Sequence, residues 1–305
     1  MSDTLASLRR KIDGAGDLES VVRSMKALAA ASIGQYEKSV LALADYYRTV
    51  ELGLAVCLRE RIGVAPDPVA RASKTATEVT VIVFGSDQGL VGQFNDVLAE
   101  FVTDALNALP GEKKIWAVGE RIHTRLADAG FPPAGLFAVP TSVDAITPLV
   151  GQILVAGESH PDGDETGQLY LFHNGPKSGS AYEPVSQRLL PLDGQWRLRL
   201  THLPWPSGNL PEVVGSGEQT LRALVREYLF VSLYKACAES LASEYASRLA
   251  AMQRAEKNID ELVLDLNQTF RRLRQTSIDE ELFDVLSGYE SSSKKDRRPP
   301  PRGQQ

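Results

Sequence analysis

From Glu218 to Ser287, the body of a stretch that opens at Pro211, the chain contains neither glycine nor proline. About seventy residues rich in Ala, Leu, Glu, Arg and Gln, with no helix breaker among them, dictate helix. From Tyr245 the apolar positions alternate by three and four: Tyr245, Leu249, Met252, Glu256, Ile259, Val263, Leu266, Phe270, Leu273, Ser277. A spacing averaging about 3.5 residues is a coiled-coil seam rather than the broader stripe of a globular helix. Glu256 is its one charged position. At about 1.5 Å per residue such a helix is on the order of 100 Å long, against a usual length of about 11 or 12 residues. An element of that length spans, levers or assembles.

A second long helix is predicted over residues 3–60, capped by Asp3 or Thr4. Gly14 and Gly16 weaken it by roughly 1 kcal/mol each relative to Ala, and a bend or break is expected there. The apolar stripe reads Leu5, Leu8, Ile12, then Leu18, Val22, Met25, Ala29, Ser32 and Tyr36, and resumes at Val40, Leu43, Tyr47, Val50, Leu54 and Cys57. Two successive four-residue steps around Tyr36 predict a local stutter. Neither helix can bury its stripe alone. One opens the chain and the other closes it, so antiparallel pairing around an inserted domain is the simple solution.

The middle of the chain changes period. Residues 78–84 form a short β-branched run typical of a buried strand. A loop follows over Gly85–Gly92, and a helix over Gln93–Leu109. Further strands are expected at 114–118, 135–139 and 168–173, with helices at 120–129 and from a Ser142 cap to about Gly157. Residues 183–203 read as irregular strands. Strands alternating with helices imply a mostly parallel α/β sheet. The expected fold class is α/β: a long antiparallel coiled coil of the N- and C-terminal helices with an inserted Rossmann-like domain. The expected divisions are 1–65, 66–210, 211–288 and a disordered, Pro-rich tail at 289–305. Pro66 and Pro68 end the first helix.

Composition excludes more than it proposes. A net charge of −6 argues against a general nucleic-acid binder. Cys57 and Cys237 are too few for a disulfide framework or a Cys-rich zinc site, and read as buried small apolar side chains. No signal core or apolar run of about 18 residues occurs, so a cytoplasmic protein is expected, with any membrane association through partners. The loop reading Gly-Ser-Asp-Gln-Gly-Leu-Val-Gly sits where phosphate loops sit in doubly wound folds. It is neither GxGxxG nor a P-loop, and a tight strand-to-helix turn is the better reading. His123, His160, His173 and His202 share no ligand spacing. No active site and no cofactor are expected. The basic residues Arg23 and Lys26, then Arg248, Arg254, Lys257, Arg271, Arg272 and Arg274, lie along the helices. An acidic stretch (Asp279, Glu280, Glu281, Asp284) follows. Such a run opposes the macrodipole at a helix C-terminus and hints that this end meets a protein surface.

Three stretches resemble the γ subunit of F-type rotary ATPases: residues 24–31, with Met25-Lys26 before an alanine run; the loop Gly85–Gly92; and Glu239–Gly288, including Ser243–Met252 and Arg274–Leu282. The resemblance implies a central-stalk rotor. Its coiled coil would lie in the bore of a ring of three α and three β subunits. Its α/β domain would meet the ε subunit and the membrane c-ring. Proton or sodium flow would turn it, and the chain itself would carry no catalytic residue. By motif, Met25 and Lys26 face the β lever region, Arg274 and Gln275 contact the β loops near the top of the bore, and Arg254 is counted among the ring contacts. Ser32–Gln35 stands where the family has Lys or Arg, Gln88 stands where it has Arg, and the tail is longer than usual. These departures suggest a divergent bacterial member, of the kind found in alternate ATPases, at the cytoplasmic face of the inner membrane. Two alternatives remain: a coiled-coil scaffold unrelated to ATPases, and a nucleotide-binding enzyme using the Gly85–Gly92 loop.

Overall fold

A computed structural model describes residues 4–61, 78–157, 168–177, 180–192, 194–209, 211–213 and 215–296. The expected Pro66/Pro68 linker, His160 and the last nine residues of the expected tail lie outside them. In chain order the elements are α1 (Leu5–Arg61), β1 (Glu78–Phe84), α2 (Phe94–Ala108), β2 (Glu112–Val118), α3 (Glu120–Asp128) and β3 (Gly135–Phe137). A 3-10 turn (Val143–Ala145) leads into α4 (Ile146–Gly157), followed by β4 (Gln168–Lys177), β5 (Ser180–Leu190), α5 (Gly194–Thr201) and α6 (Gly217–Asp296). By internal contacts the chain forms two compact units: residues 1–25 with 252–305, and residues 26–251.

α1 is one continuous helix through Gly14 and Gly16. The break expected there does not occur, because two penalties of roughly 1 kcal/mol are small beside the seam the helix buries. That seam also runs differently from the sequence expectation. Leu18 is 58% exposed, and the shielded positions are instead Ala15 and Glu19. With Lys26 and Ile33 also on it, the stripe steps by three and four without interruption from Leu5 to Cys57. The stutter at Tyr36 disappears once Ile33 replaces Ser32 as the seam residue. On α6 the expectation holds residue by residue: every position from Met252 to Ser277 in the alternation is buried or half-buried, and nearly all others there are exposed.

Within the 26–251 unit the helices run antiparallel. Tyr36 stacks on Tyr245, Tyr46 bonds Glu227, Tyr47 meets Tyr228, and Gly53 lies against Leu224, so rising numbers on α1 meet falling numbers on α6. The same unit holds a five-stranded sheet of order β3-β2-β1-β4-β5. Its first four strands are parallel and β5 is antiparallel to β4. Strand alternation sorts the side chains into two cores. Ile82, Phe84, Val118 and Leu171 join residues of α1, α4 and α6. Val79, Val81, Val83, Ile115, Ala117 and Phe172 face α2 and α3.

Three further differences have local causes. The Gln195–Leu200 stretch, alternating like a strand, lies in α5: Trp196 packs on Tyr228 at 4.8 Å and Leu200, one helical turn later, is fully buried. Ser142 precedes the 3-10 turn without a side-chain cap; its carbonyl accepts from the Ala145 N–H instead. α6 passes Gly288 and continues to Asp296, since one glycine costs only about 1 kcal/mol and the first proline of the tail is Pro299. Cys57 and Cys237 are both buried, as expected, and are not joined in a disulfide.

Candidate partner-contact surface

The five residues assigned to partner contact lie on the two long helices rather than around a pocket. Met25 and Lys26 are half-buried on α1, with Lys26 on the seam; Arg254, Arg274 and Gln275 are exposed on α6. Arg274 and Gln275 are adjacent, but the twenty residues of helix back to Arg254 span about 30 Å. Side chains so placed can meet a surrounding surface at several levels. They cannot converge on one small molecule.

The sequence reading placed a protein surface at the end of α6 on its acidic run alone and missed the apolar residues there. Shielding of the seam stops at Ser277, and every residue from Ile278 to Tyr289 is exposed. Leu282, Phe283, Val285, Leu286 and Tyr289 are all more than half exposed. Ile278, Leu282, Val285 and Tyr289 repeat at four, three and four, the helical spacing of an apolar stripe, but one residue out of phase with the seam. That phase change was the available signal. Contiguous apolar surface beside the charged Asp279–Glu281 run marks a surface for a protein partner.

The Gly85–Gly92 loop is bound into the fold. The Gly85 N–H donates to Val118 O at 2.8 Å. Ser86 N–H donates to Asn95 Oδ1 at 3.1 Å, and Asn95 Nδ2 returns a bond to Ser86 Oγ at 2.8 Å. The two carboxylate oxygens of Asp87 accept from the Glu120 and Val139 N–H groups, each at 2.9 Å. From α6, Ser240 Oγ donates to Phe84 O at 3.2 Å and Ser247 Oγ to Val91 O at 2.6 Å. The first N–H of α3 thus already holds a carboxylate. The loop is a joint between sheet, α3 and α6. Leu90, at a φ of 62°, holds its apolar side chain out to solvent.

Beside this joint lies a buried ion pair. Arg248 Nη2 meets Glu244 Oε1 at 2.5 Å, and the guanidinium lies 5.1 Å from the centre of the Tyr245 ring. Burial pushes the Glu244 carboxyl above its ordinary range; Arg248 opposes the shift and Asp87 adds to it. Burial likewise raises the hydroxyls of Tyr36, Tyr47, Tyr228 and Tyr234 and the Cys237 thiol. His173 on β4 reaches Glu239 on α6 at 3.0 Å. Among the described residues no cluster of His, Cys, Asp or Glu is suited to a metal ion, and no helix is long and apolar enough to cross a membrane.

These elements have parallels in known proteins. The ATP synthase gamma chain of Herpetosiphon aurantiacus is 27% identical over 296 residues, covering 92% of this chain and 96% of the relative. That of Parafrankia sp. is 28% identical over 300 residues, covering 94% and 97%. The rotor of the Euglena gracilis mitochondrial ATP synthase superposes with a TM-score of 0.63 at 15% identity, covering 90% of this chain and 98% of that one. The central stalk of the Tetrahymena thermophila mitochondrial ATP synthase superposes with a TM-score of 0.52 at 21% identity, covering 77% and 99%. The family model described as ATP synthase matches residues 4–291, and with that span the chain belongs to the ATP synthase family, on the side of its gamma chains.

Proposed function

We propose that this chain is the rotor shaft of an F-type ATP synthase, coupling proton or sodium flow through a membrane ring to ATP synthesis or hydrolysis on neighbouring subunits. The observation that carries this reading is the end of α6, where an apolar helix surface from Ile278 to Tyr289 stands exposed beyond the shielded seam. Such a surface fits enclosure by other subunits. The end of the shaft lies in the bore of the α and β ring. The inserted domain, taken as residues 66–210, meets the ε subunit and the c-ring. The chain supplies no catalytic group; it presents different faces to each site and biases their states, a population shift driven by differential contact. It is held at the cytoplasmic face of the bacterial inner membrane through these partners.

Co-expression with the α and β subunits of the same genome is expected to yield a stable complex whose sustained ATPase activity requires this chain. A folded, helical chain that never assembles with them would leave the scaffold reading instead. Within the complex, Met25, Lys26, Arg254, Arg274 and Gln275 face the ring. Arg274→Ala and Gln275→Ala are expected to lower coupled ATP synthesis severalfold with the thermal midpoint unchanged, since both side chains are exposed and a charge-assisted bond from such an arginine is directional. Wild-type synthesis rates in both variants would remove these residues from the contact.

A further inference from the structure

Among the described residues β5 is an edge strand, with β4 on its inner side. It pairs Pro184 with Asn174, Val185 with His173, Ser186 with Phe172 and Gln187 with Leu171. In an antiparallel ladder, successive residues turn their backbone groups alternately towards the neighbouring strand and away from it. Pro184 has no N–H to give to β4, so it holds one of the outward places. Val185 and Gln187 therefore bond β4, while Ser186 and Arg188 turn their N–H and C=O groups out of the sheet. The outward groups of Ser186 meet no backbone partner among the described residues. The space in front of them is open. A cleft of about 510 Å³ is lined by Ser186, Gln187, Arg188 and Leu189 in succession. Neighbouring side chains of a strand point to opposite faces, so a cleft that touches four in a row runs along the edge rather than over one face. Its walls agree. Tyr170, packed against the core under α2 and α3, borders it on one side. Trp196 and Tyr228, from the core shared with α1, α4 and α6, border it on the other. Residues 185–189 span about 13 Å, room for about four or five residues of extended chain.

We infer that the outer edge of β5 is a docking site for an extended segment of a partner protein, which adds a strand to the sheet beside Ser186–Leu189. An open edge is a template for another strand, and charge chooses the occupant. Ser186 and Arg188 lie on one face of β5, and both are exposed. A second copy of this chain, pairing β5 to β5, would bring two Arg188 side chains onto that face, where like charges oppose pairing. A segment with Asp or Glu there gains a cross-strand ion pair instead. On the opposite face an apolar side chain of the segment would lie against Trp196. In the rotor reading above, on which this identification alone rests, the partner is the ε subunit assigned to the inserted domain.

The test titrates purified ε subunit of the same genome onto the full chain. Ser186→Pro deletes the outward N–H and sets a ring in the path of an added strand. It leaves the β4 ladder intact, as Pro184 already does. It is expected to weaken ε binding about tenfold, since a lost hydrogen bond also strands its partner. Ser186→Ala removes only the side-chain hydroxyl and is expected to stay within about twofold of wild type. Amide exchange needs no variant. In the free chain the Ser186 amide is expected to exchange about tenfold faster than those of Val185 and Gln187, and saturating ε to remove the difference. Protection of Ser186 in the free chain overturns the inference, as does exchange there that ε leaves unchanged. So does equal ε binding by Ser186→Pro and wild type, self-association that Ser186→Pro abolishes, or a chain that assembles with α and β but does not bind ε. Failure to assemble with α and β is instead failure of the rotor reading.

Discussion

Arg248→Ala is expected to destabilise the 26–251 unit by about 3–5 kcal/mol at pH 7, because it strands a buried carboxylate. The Arg248 and Glu244 side chains are only 8% and 6% exposed, and Glu244 Oε2 has no other partner. The loss should depend on pH. Burial raises the Glu244 pKa in the folded state and Arg248 holds it down; without the arginine it rises further. A carboxyl raised on folding binds more protons in the folded state than in the unfolded one. Stability therefore falls as pH rises from the unfolded value through the folded one. The variant should be closer to wild type at pH 5 than at pH 8 in denaturant midpoints. The double replacement Glu244→Gln with Arg248→Met should be less damaging than Arg248→Ala alone, since no charge is left buried. A loss equal at both pH values would mean that Glu244 is solvated and the pair unimportant.

Gly85→Ala is expected to cost about 3 kcal/mol, at the upper end of overpacking penalties. A Cβ at Gly85 would lie 2.3 Å from Ile122 Cβ and 2.9 Å from Asn95 Oδ1. Ile122 is fully buried and Asn95 holds Ser86 through two bonds, so neither can yield without opening the joint. The control is four residues away: at Gly89 the same atom would meet only Arg121 Nη2, at 3.4 Å, the flexible end of a side chain. Gly89→Ala should be within about 0.5 kcal/mol of wild type, as ordinary surface changes are. Equal thermal midpoints for the two variants would show that the loop relaxes more freely than its hydrogen bonds suggest.

What the sequence made legible follows the strength of each periodic signal. The α6 seam from Tyr245 to Ser277 was readable because ten positions agree on one spacing and no glycine interrupts them. On α1 the same spacing was present but hidden. Its true seam passes through Ala15, Glu19 and Lys26, which look like surface residues, while Leu18 looks apolar and points outward. Long side chains such as Glu19 and Lys26 can lay their stems along a seam and keep their charge wet, so hydrophobicity alone picks the wrong neighbour. α5 was misread because Trp196, Leu198 and Leu200 satisfy a two-residue period as well as a turn of helix. Only the packing of Trp196 on Tyr228, distant in sequence, decides between them. Of the proposed contact surface, the charged residues were assigned by motif. The apolar end of α6 was passed over because it continues a helix whose earlier apolar positions are all seam. The Glu244–Arg248 pair was invisible as a pair because burial on a helix depends on what else packs there.

The uninterrupted alternation of α1 has a consequence for how such a chain can change over generations. Each residue added to a helix turns everything beyond it by about 100°. One extra residue anywhere between Leu5 and Cys57 would therefore swing the remaining seam positions off α6. Seven residues return almost to the starting angle. Insertions and deletions in this helix should survive only in whole heptads, or in pairs that cancel. Its length is then inherited as a count of sevens, while the loops of the sheet domain can lengthen by any amount.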